Sequence, residues 1–582
     1  MKGAGTGAGT GGAAPAHEYP GRMRDVDVVV IGSGAGGLAA AAALARAGRR
    51  VLVLEQHYVP GGFCHSFTLG GHRFSPGVHY VGELGPGGRL REIYEGLGVA
   101  GDLAFWELDP DGYDRVFLGD EAPFEIPRGK ARYAERLSAR FPAQAAGIRR
   151  YLDLVERLGR ELRVLMRARP LDLALLPVRA PALLRHGLGS LAALLERCEL
   201  SDPRLRAILG MQCGDHGLPP SRAPAALHAA VAAHYLDGGW YPAGGGFAIP
   251  RAFVRALRRA GGELRLRCDV TRILTERRGL LGGRRAIGVR LADGSEVRAG
   301  AVISNADPAV TFGRLLAPDE LSPLLRARLA RARWGVSALS LFLAVDVDPR
   351  AAGLDSGNLW WSRTPDLEAT YSSGTDPRAI AAGQVEGLFL TATTLKDPGK
   401  GGGAVHTLEA FTLAAWDPFA PWAGTPPDAR PREYLELKAA LERSLLAVVE
   451  RLVPGLAGRV VFSALGTPLT NQHYVAATRG SLYGTEKSLL QLAPPLGWGT
   501  RCGIEGLFLC GASTLGHGVM GATMSGVAAA RTVLGCRTRE LLRPDAAPLR
   551  TWQAEDPATW PAEVQRDRAR RAAREPVEPV GA

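Results

Sequence analysis

Four residues near the start of the chain have the types and spacing that bind a dinucleotide. Gly32, Gly34 and Gly37 fit the pattern G-x-G-x-x-G, and Glu55 stands 23 positions after the first of them. The first glycine permits a tight turn, the second lets backbone N–H groups approach a diphosphate, and the third allows a helix to pack closely on a strand. The carboxylate can accept hydrogen bonds from the adenosine ribose, and an acid at this position disfavours a 2′-phosphate.

The segments around these residues predict the elements that hold them. Residues 27–31 (DVVVI) form a short β-branched run typical of a strand buried on both faces of a parallel sheet. An Ala/Leu-rich stretch after the glycines predicts a helix that ends near Gly48, and residues 51–55 (VLVLE) predict the next strand. The helix N-terminus adds partial positive charge at the diphosphate. This order of elements predicts a doubly wound α/β domain.

A second glycine pair lies a few residues beyond the acid. Nicotinamide-dependent dehydrogenases do not need glycines there, whereas a flavin nucleotide folded against the same loop needs the backbone close by. The pair therefore favours FAD as the cofactor. We expect five more residues to line its site: Ala35, Gly36, Gln56, Gly61 and Gly62.

Three separated blocks of the chain resemble the FAD-dependent polyene oxidoreductases, which include retinol saturase, carotenoid isomerase and phytoene desaturase. The first block is residues 28–67 with FSPGVHYVG at 74–82, the second is residues 265–273 and 286–308, and the third is residues 506–535. The resemblance implies a Rossmann-type FAD-binding domain with a parallel sheet and helices, assembled from these blocks. It also implies an interleaved α+β substrate domain.

The resemblance further implies roles for residues of the second and third blocks. Val270 is expected beside the adenine, and a strand is expected to deliver Gly511 to the flavin phosphates. The helix after Met520 is expected to point its N-terminus at the isoalloxazine. The HYVG segment is typical of the saturase branch, although Ser75 and Pro76 replace its usual acidic residue, and MSGV in the third block is typical of the isomerase branch.

The blocks and the material between them predict seven segments. Residues 1–24 are rich in Gly, Ala and Thr without the apolar core of a secretory signal, and the chain ends in an Arg-, Pro-, Glu- and Ala-rich stretch. The predicted segments are a disordered leader 1–24, FAD-binding segments 25–100, 241–315 and 471–536, a substrate or lid domain 101–240, a substrate domain 316–470 and a tail 537–582.

A flavin that acts on a polyene needs a proton donor or acceptor beside it. An unactivated polyene is a poor hydride acceptor, so a general acid that protonates one carbon would help. The candidates by position are His79 and Tyr80 in the first block, His473 before the ATRGSLYG segment, and His517 in the third block. For each of them the alternative to a catalytic role is a hydrogen-bonded core residue or a residue that contacts the flavin.

A polyene also needs a long apolar channel, because each buried CH₂ contributes about 0.8 kcal/mol. Residues 162–196 mix short apolar stretches and prolines with Arg167, Arg169, Arg179 and Arg185. This pattern suits a membrane interface, and core helices with snorkelling arginines explain it equally well. The expected partners are thus a hydrophobic small molecule and a peripheral membrane surface.

The composition excludes several other classes. Hydrophobic residues make up 46% and charged residues 22% of the 582 residues, as in globular proteins. Seven scattered cysteines without a Cys-x-x-Cys pair indicate neither a disulfide framework nor a zinc site, so we expect no metal and a reducing, cytoplasmic location. The +12 charge comes mostly from arginine without a run of five like charges, so nucleic-acid binding is not expected.

The expected activity is FAD-dependent saturation or desaturation of a carbon–carbon bond in a hydrophobic polyene or isoprenoid, by hydride transfer at flavin N5. A redox-neutral cis/trans carotenoid isomerase that uses reduced FAD is the first alternative, and product mass separates the two. A flavin-free isoprenoid carrier is the second, although Glu55 and the complete third block argue against it. An amine oxidase on the same fold is a further alternative, for which the sequence shows no family signature. No second G-x-G-x-x-G follows a strand, so the electron donor or acceptor is not identified.

Overall fold

The computed structural model describes residues 26–167, 175–278, 283–400, 403–544 and 547–572. The described strands are β1 (Val26–Ile31), β2 (Val51–Leu54), β3 (Phe67–Leu69), β4 (His72–Phe74), β5 (Ala104–Glu107), β6 (Asp114–Leu118), β7 (Phe124–Ile126), β8 (Trp240–Pro242), β9 (Glu263–Arg265), β10 (Val270–Arg277), β11 (Arg284–Leu291), β12 (Glu296–Ser304), β13 (Ser337–Val345), β14 (Asn358–Ser362), β15 (Gly387–Ala392), β16 (His406–Ala414), β17 (Val460–Gly466), β18 (Leu507–Leu509) and β19 (Arg550–Gln553).

The described α-helices are α1 (Ala35–Arg46), α2 (Arg89–Gly96), α3 (Lys130–Arg140), α4 (Ala145–Arg167), α5 (Leu176–Arg179), α6 (Leu191–Arg197), α7 (Pro203–Gly210), α8 (Ala225–Tyr235), α9 (Ala248–Arg259), α10 (Pro323–Ala330), α11 (Leu367–Ser372), α12 (Pro377–Ala381), α13 (Thr393–Lys396), α14 (Arg432–Leu452), α15 (Pro468–Val475), α16 (Leu489–Leu492), α17 (Gly518–Leu534), α18 (Thr538–Leu541) and α19 (Ala562–Ala572). Among the residues that the structure describes, no helix is both long and apolar enough to cross a bilayer.

The first sheet is built around β1. This strand pairs in parallel with β12 on one side and with β2 on the other, β2 continues to β9, and β18 pairs in parallel with the end of β12. The antiparallel strands β10 and β11 extend the sheet beyond β12. Every residue of β2 is buried, as expected for a parallel strand covered on both faces. Helix α1 packs against α9 and α17, and the predicted α/β fold class is confirmed.

The second sheet comes from the two long insertions. Its strand order is β17-β13-β16-β15-β14-β6-β7, with β6 and β14 in parallel and the other pairs antiparallel. Residues of α4, α6, α7 and α8 share a hydrophobic core with Trp360 on β14 and Phe389 on β15. This mixed sheet with helices on it agrees with the predicted α+β substrate domain.

The end of the chain contributes to the fold. Strand β19 pairs in parallel with β5, which in turn pairs with β8. Trp560 is buried, with its ring centroid 6.1 Å from that of Trp106. The predicted tail therefore includes a paired strand. Trp552 and Trp560 supply the apolar surface that packs there, although this segment is rich in charged residues. The predicted leader lies outside the described residues.

Candidate active site

The predicted glycine turn lies where β1 ends and α1 begins. Gly32 has a φ of +88°, which glycine adopts more readily than other residues. A Cβ on Gly37 would overlap the carbonyl oxygen of Gly32, and a Cβ on Gly34 would lie 2.6 Å from Nδ2 of Asn305. Gly34 is the N-cap of α1 and offers no side-chain cap. The first backbone N–H groups of α1 thus stay available to an anion.

Glu55 follows β2 and lines a cavity of about 710 Å³ together with Gln56 and Val270. Its Oε2 accepts hydrogen bonds from the backbone N–H of Ser33 (2.8 Å) and from the Ser33 hydroxyl (2.6 Å), and its Oε1 accepts one from the N–H of His57 (2.9 Å). A carboxylate has about four acceptor positions, so capacity remains for a ligand hydroxyl. The acid therefore fixes the glycine turn and also faces the cavity.

A second cavity of about 1300 Å³ continues from the first, because Gly34, Gly62 and Asn305 line both. Helix α17 begins at this cavity, and its N-cap residue His517 makes no side-chain cap hydrogen bond. The N-termini of α1 and α17 therefore meet at one pair of joined cavities, and both favour negative charge. An elongated dinucleotide with a central diphosphate fits this arrangement, as FAD would require.

The structure places the predicted cofactor residues in three groups. Gly37 lines neither of the first two cavities and packs against Gly32 and Asn305, and Met520 lines only a third cavity. Asn305, which sequence reasoning missed, lines both of the first two cavities, and its only sequence signal is its place after β12. The remaining ten predicted residues line the first or the second cavity: Gly32, Gly34, Ala35, Gly36, Glu55, Gln56, Gly61, Gly62, Val270 and Gly511.

The third cavity, of about 1300 Å³, adjoins the second, and we refer to it as the substrate cavity. His79, Phe411, Tyr483 and Val519 line both cavities. Most of its remaining wall is apolar or aromatic and comes from α4, α8, β14, β15 and α17, with Leu162, Leu227, Val231, Tyr235, Trp360, Phe389 and Met524 among its residues. Such walls suit a hydrophobic ligand.

His79 lies at the junction of these two cavities. Its ring stacks on Phe411 with centroids 5.5 Å apart and an interplanar angle of 26°. Its Nδ1 lies 3.3 Å from Oε2 of Glu409, a buried residue whose Oε1 accepts a 2.7 Å hydrogen bond from the N–H of Ser75. The carboxylate of Glu409 thus lies beside the ring, and the stacking on Phe411 places His79 where a ligand in either cavity could contact it.

Tyr80 points away from this junction into a buried polar network. Its hydroxyl donates to Oδ2 of Asp114 (3.0 Å), whose Oδ1 accepts from Nδ2 of Asn358 (2.8 Å). Lys396 donates to the backbone oxygen of His79 (2.7 Å) and to Oδ1 of Asn358. Burial lowers the pKa of Lys396 to about 7 and raises the pKa of Asp114 to about 6. Burial together with Asp114 raises the pKa of Tyr80 far above its usual value, so its proton stays in place.

His517 lies in the wall of the substrate cavity. Its Nε2 donates to the backbone oxygen of Asp215 at 2.6 Å, and its buried Nδ1 has no hydrogen-bond partner. Burial, followed by the nearby Lys487, lowers the pKa of His517 to about 3. The ring is therefore neutral near pH 7 and carries its proton on the nitrogen that holds the Asp215 loop.

His473 lies apart from the other candidates. It is exposed near the end of α15 and lines a fourth cavity of about 1530 Å³ with Tyr58 and Tyr474. This fourth cavity adjoins the second, because Phe63, Pro76 and Ser340 line both. The structure thus brings His79, Tyr80 and His517 to one cavity and leaves His473 outside it.

Three buried side chains, Cys213, His216 and His228, lie close together, although their spacing in the sequence does not predict it. Their Sγ and ring nitrogen atoms lie within 4.8 Å of one another. His228 donates to the backbone oxygen of Leu209 (3.0 Å), and its Nδ1 lies 3.8 Å from the Cys213 Sγ; His216 donates to the backbone oxygen of Cys213 (3.0 Å). None of the three lines the cavities above, and we assign them a packing role.

The chain is similar in sequence to a known protein family and to several known proteins. The sequence model of the family described as flavin-containing amine oxidoreductase matches residues 35–534. An all-trans-retinol 13,14-reductase of Danio rerio is 32% identical over 519 residues, which span 84% of this chain and 83% of the relative. A chloroplastic prolycopene isomerase of Daucus carota is 28% identical over 529 residues, which span 87% of this chain and 80% of the relative.

Solved structures show the same fold at low identity. An oxidoreductase of Methanosarcina mazei superposes with a TM-score of 0.57 at 19% identity and covers 86% of this chain and 99% of its own. A putrescine oxidase superposes with a TM-score of 0.57 at 17% identity and covers 88% of this chain and 99% of its own.

Proposed function

The chain belongs to the family of flavin-containing amine oxidoreductases and is an FAD-dependent oxidoreductase, and on that premise we propose that it saturates a carbon–carbon double bond of a hydrophobic polyene of the retinoid type. The observation that carries the proposal is the substrate cavity, whose wall is largely aromatic and apolar and which adjoins the flavin cavity at His79, Phe411 and Tyr483. Similarity to a retinol 13,14-reductase over most of both chains favours a retinoid among polyenes.

We propose that the ten residues of the first two cavities hold FAD, with Glu55 toward the ribose and the N-termini of α1 and α17 toward the diphosphate and the flavin. When bound, the flavin supplies the hydride chemistry. The chain itself orients the substrate: Phe389 and Phe411 stack with centroids 4.8 Å apart and form an aromatic part of the cavity wall beside His79. A polyene laid on such a wall gains apolar burial and leaves little room for water.

A single-turnover reaction tests the proposal. Enzyme whose flavin has been reduced with dithionite is mixed anaerobically with all-trans-retinol in detergent, and the flavin spectrum and product mass are followed. We expect the flavin to be reoxidised and a product heavier by two hydrogens. Putrescine, added to oxidised enzyme, is the control for amine oxidation and is expected to leave the flavin oxidised. Reduced flavin that persists with all-trans-retinol would refute the proposal.

Redox-neutral isomerisation is the second candidate, because the Daucus carota prolycopene isomerase is 28% identical over most of both chains. The same cavity and reduced flavin would serve it. The mass of the product separates the two: an isomerase returns a product of unchanged mass and altered retention, and its flavin remains reduced.

We infer that the segment around α5 touches a lipid surface. The side chains of Val178 and Leu188 are 80% and 60% exposed, and Arg179 and Arg185 are exposed beside them. Exposed apolar groups next to arginines suit an anionic membrane interface. Helix α4, which precedes this segment, lines the substrate cavity with Leu162. A polyene dissolved in the bilayer would therefore reach the cavity near the membrane. Arg169 lies outside the described residues, as does the side chain of Arg167.

A further inference from the structure

Asp215 lies in the wall of the substrate cavity, at the end of a short turn (Met211–Asp215) between α7 and α8. Its Oδ2 is buried without a hydrogen-bond partner. Among the residues that the structure describes, no lysine or arginine forms an ion pair with it. We propose that Asp215 is the catalytic acid that delivers a proton to the polyene. The inference rests on the proposed function and deepens it.

Two hydrogen bonds hold the Asp215 backbone against the residues that meet the flavin cavity. The Asp215 backbone oxygen accepts from Nε2 of His517 (2.6 Å), and His517 is the N-cap of α17, whose first turn lines the flavin cavity. The backbone oxygen of Gly214 accepts from the hydroxyl of Tyr483 (2.8 Å), which lines both cavities. The backbone that carries the Asp215 carboxyl group is therefore anchored to α17 and to Tyr483, a residue of the junction between the two cavities.

The surroundings of Asp215 keep its proton. Burial, and then the negative charge of Asp114, raises the pKa of Asp215 to about 8. Among the basic groups in the described wall of the cavity, His517 is neutral with a pKa of about 3, and Arg163 lies 3.5 Å from the carboxylate of Glu83. The negative charge of Asp215 in turn disfavours ionisation of one thiol and four phenols nearby. These groups stay protonated near pH 7: Cys213, Tyr80, Tyr235, Tyr371 and Tyr483.

Two of the other candidates around the cavity, Tyr80 and His517, are less suited to give up a proton. The Tyr80 hydroxyl donates to Asp114 and burial holds its proton in place. His517 uses its one N–H to hold the Asp215 backbone. A neutral carboxylic acid in an apolar cavity, by contrast, is a general acid poised near physiological pH.

Saturation of one double bond adds a hydride and a proton to the carbon pair, which gains two electrons. A bound reduced flavin would supply the hydride with both electrons, and Asp215 supplies the proton. The O–H bond of Asp215 breaks and a C–H bond forms on the carbon next to the one that gains the hydride. The carboxylate that remains takes a proton from water.

The first test is the reoxidation of dithionite-reduced enzyme by all-trans-retinol, in the wild type and in Asp215→Asn. General acids contribute about 100- to 10,000-fold, so we expect reoxidation to slow by at least about 100-fold in the variant. In the wild type the rate should fall as the pH rises through about 8, because the acid loses its proton there, and this fall should be absent from the variant. Asp319→Asn, at a carboxyl group that is 74% exposed, is the control and should react like the wild type.

The second test does not depend on any polyene. Infrared difference spectra of flavin-loaded and flavin-free protein, recorded across pH, should show a protonated carboxyl C=O band that disappears near pH 8 and is missing from Asp215→Asn. Asp114→Asn should keep the band and move its loss to lower pH, since the charge that raises the pKa is removed.

The outcomes separate the two proposals. If wild-type enzyme does not react with all-trans-retinol, the proposed function fails, and the infrared band alone decides whether Asp215 holds a proton. If that band is absent from the wild type, or if Asp215→Asn is reoxidised at the wild-type rate, the assignment of Asp215 is overturned. Circular dichroism and unchanged FAD content establish that the variant is folded.

Discussion

The substitution Gly34→Val tests whether the glycine turn holds the FAD diphosphate. Gly34 has φ −63° and ψ 172°, an extended conformation that valine adopts without strain. Its Cβ would lie 2.6 Å from Nδ2 of Asn305, the end of a side chain that can rotate away. The cost to the fold is therefore about 1 kcal/mol. The new side chain occupies the space that a phosphate would use to reach the first N–H groups of α1.

The loss of affinity follows from the hydrogen bonds that the valine blocks. Each hydrogen bond from a backbone N–H to a charged phosphate contributes about 1.5–3 kcal/mol. Two of them amount to about 3–6 kcal/mol, and since 1.4 kcal/mol is tenfold, the dissociation constant of FAD should rise by about 100- to 10,000-fold.

The assay compares FAD content after purification and the titration of flavin-free protein with FAD, followed by quenching of flavin fluorescence. Gly424→Val is the matched control, because a Cβ there meets no atom within 4 Å and the residue is exposed. The thermal unfolding of the flavin-free variants should match that of the flavin-free wild type within a few degrees. A Gly34→Val protein that copurifies with stoichiometric FAD would contradict the role assigned to the turn.

Three further predictions address the rest of the molecule. Glu409→Gln should slow reoxidation of the reduced enzyme by all-trans-retinol about 10- to 100-fold, because the carboxylate 3.3 Å from His79 Nδ1 is replaced by a neutral amide, and ¹⁵N NMR should show a changed His79 tautomer; an unchanged rate and tautomer would contradict it. Changing Arg167, Arg169, Arg179 and Arg185 together to Glu should weaken binding to anionic liposomes at least about 100-fold, and unchanged sedimentation with vesicles would reject the interfacial interpretation. Ending the chain after Arg543 removes β19 and buried Trp560 and should lower the free energy of unfolding by about 3 kcal/mol or more, whereas ending it after Ala572 should not.

The glycine turn could be predicted from the sequence because all its parts are local. The strand predicted over 27–31 is observed as Val26–Ile31, and the acid predicted for the ribose follows β2 at the cavity. Within such a unit the distances between the residues are set by element lengths, so spacing along the chain translates directly into geometry.

The polar residues around the substrate cavity could not be predicted in this way. Glu409 bonds to Ser75 across 334 residues of chain, and Lys396 bonds to the His79 backbone across 317. Such pairs form only when segments far apart in the chain pack together, and a single sequence contains no periodicity that relates them. Asp215 had no signal beyond being a lone acid between two apolar helices.

Position in the sequence was also a poor guide to which cavity a side chain lines. Met520 is next to Val519 on α17, yet one residue turns the side chain about 100° around a helix, so Val519 reaches the flavin cavity whereas Met520 lines only the substrate cavity. His473 falls in the predicted FAD-binding segment 471–536, but it lies near the end of α15 and lines the fourth cavity instead of the substrate cavity.

The ionisable groups of the substrate cavity avoid unpaired charge in two ways. An isolated charge in an apolar cavity is costly, so each group must be paired or neutral. Arg163 lies 3.5 Å from Glu83, and His79 lies 3.3 Å from Glu409. Of the groups without an ion-pair partner, His517 is held neutral by a lowered pKa and Asp215 by a raised one. The wall can therefore accept a polyene without exposing it to an unpaired charge. His517 is neutral because it has lost its second ring proton, whereas Asp215 is neutral because it keeps its carboxyl proton. The same surroundings that favour an apolar substrate therefore leave Asp215 as the residue that can protonate it.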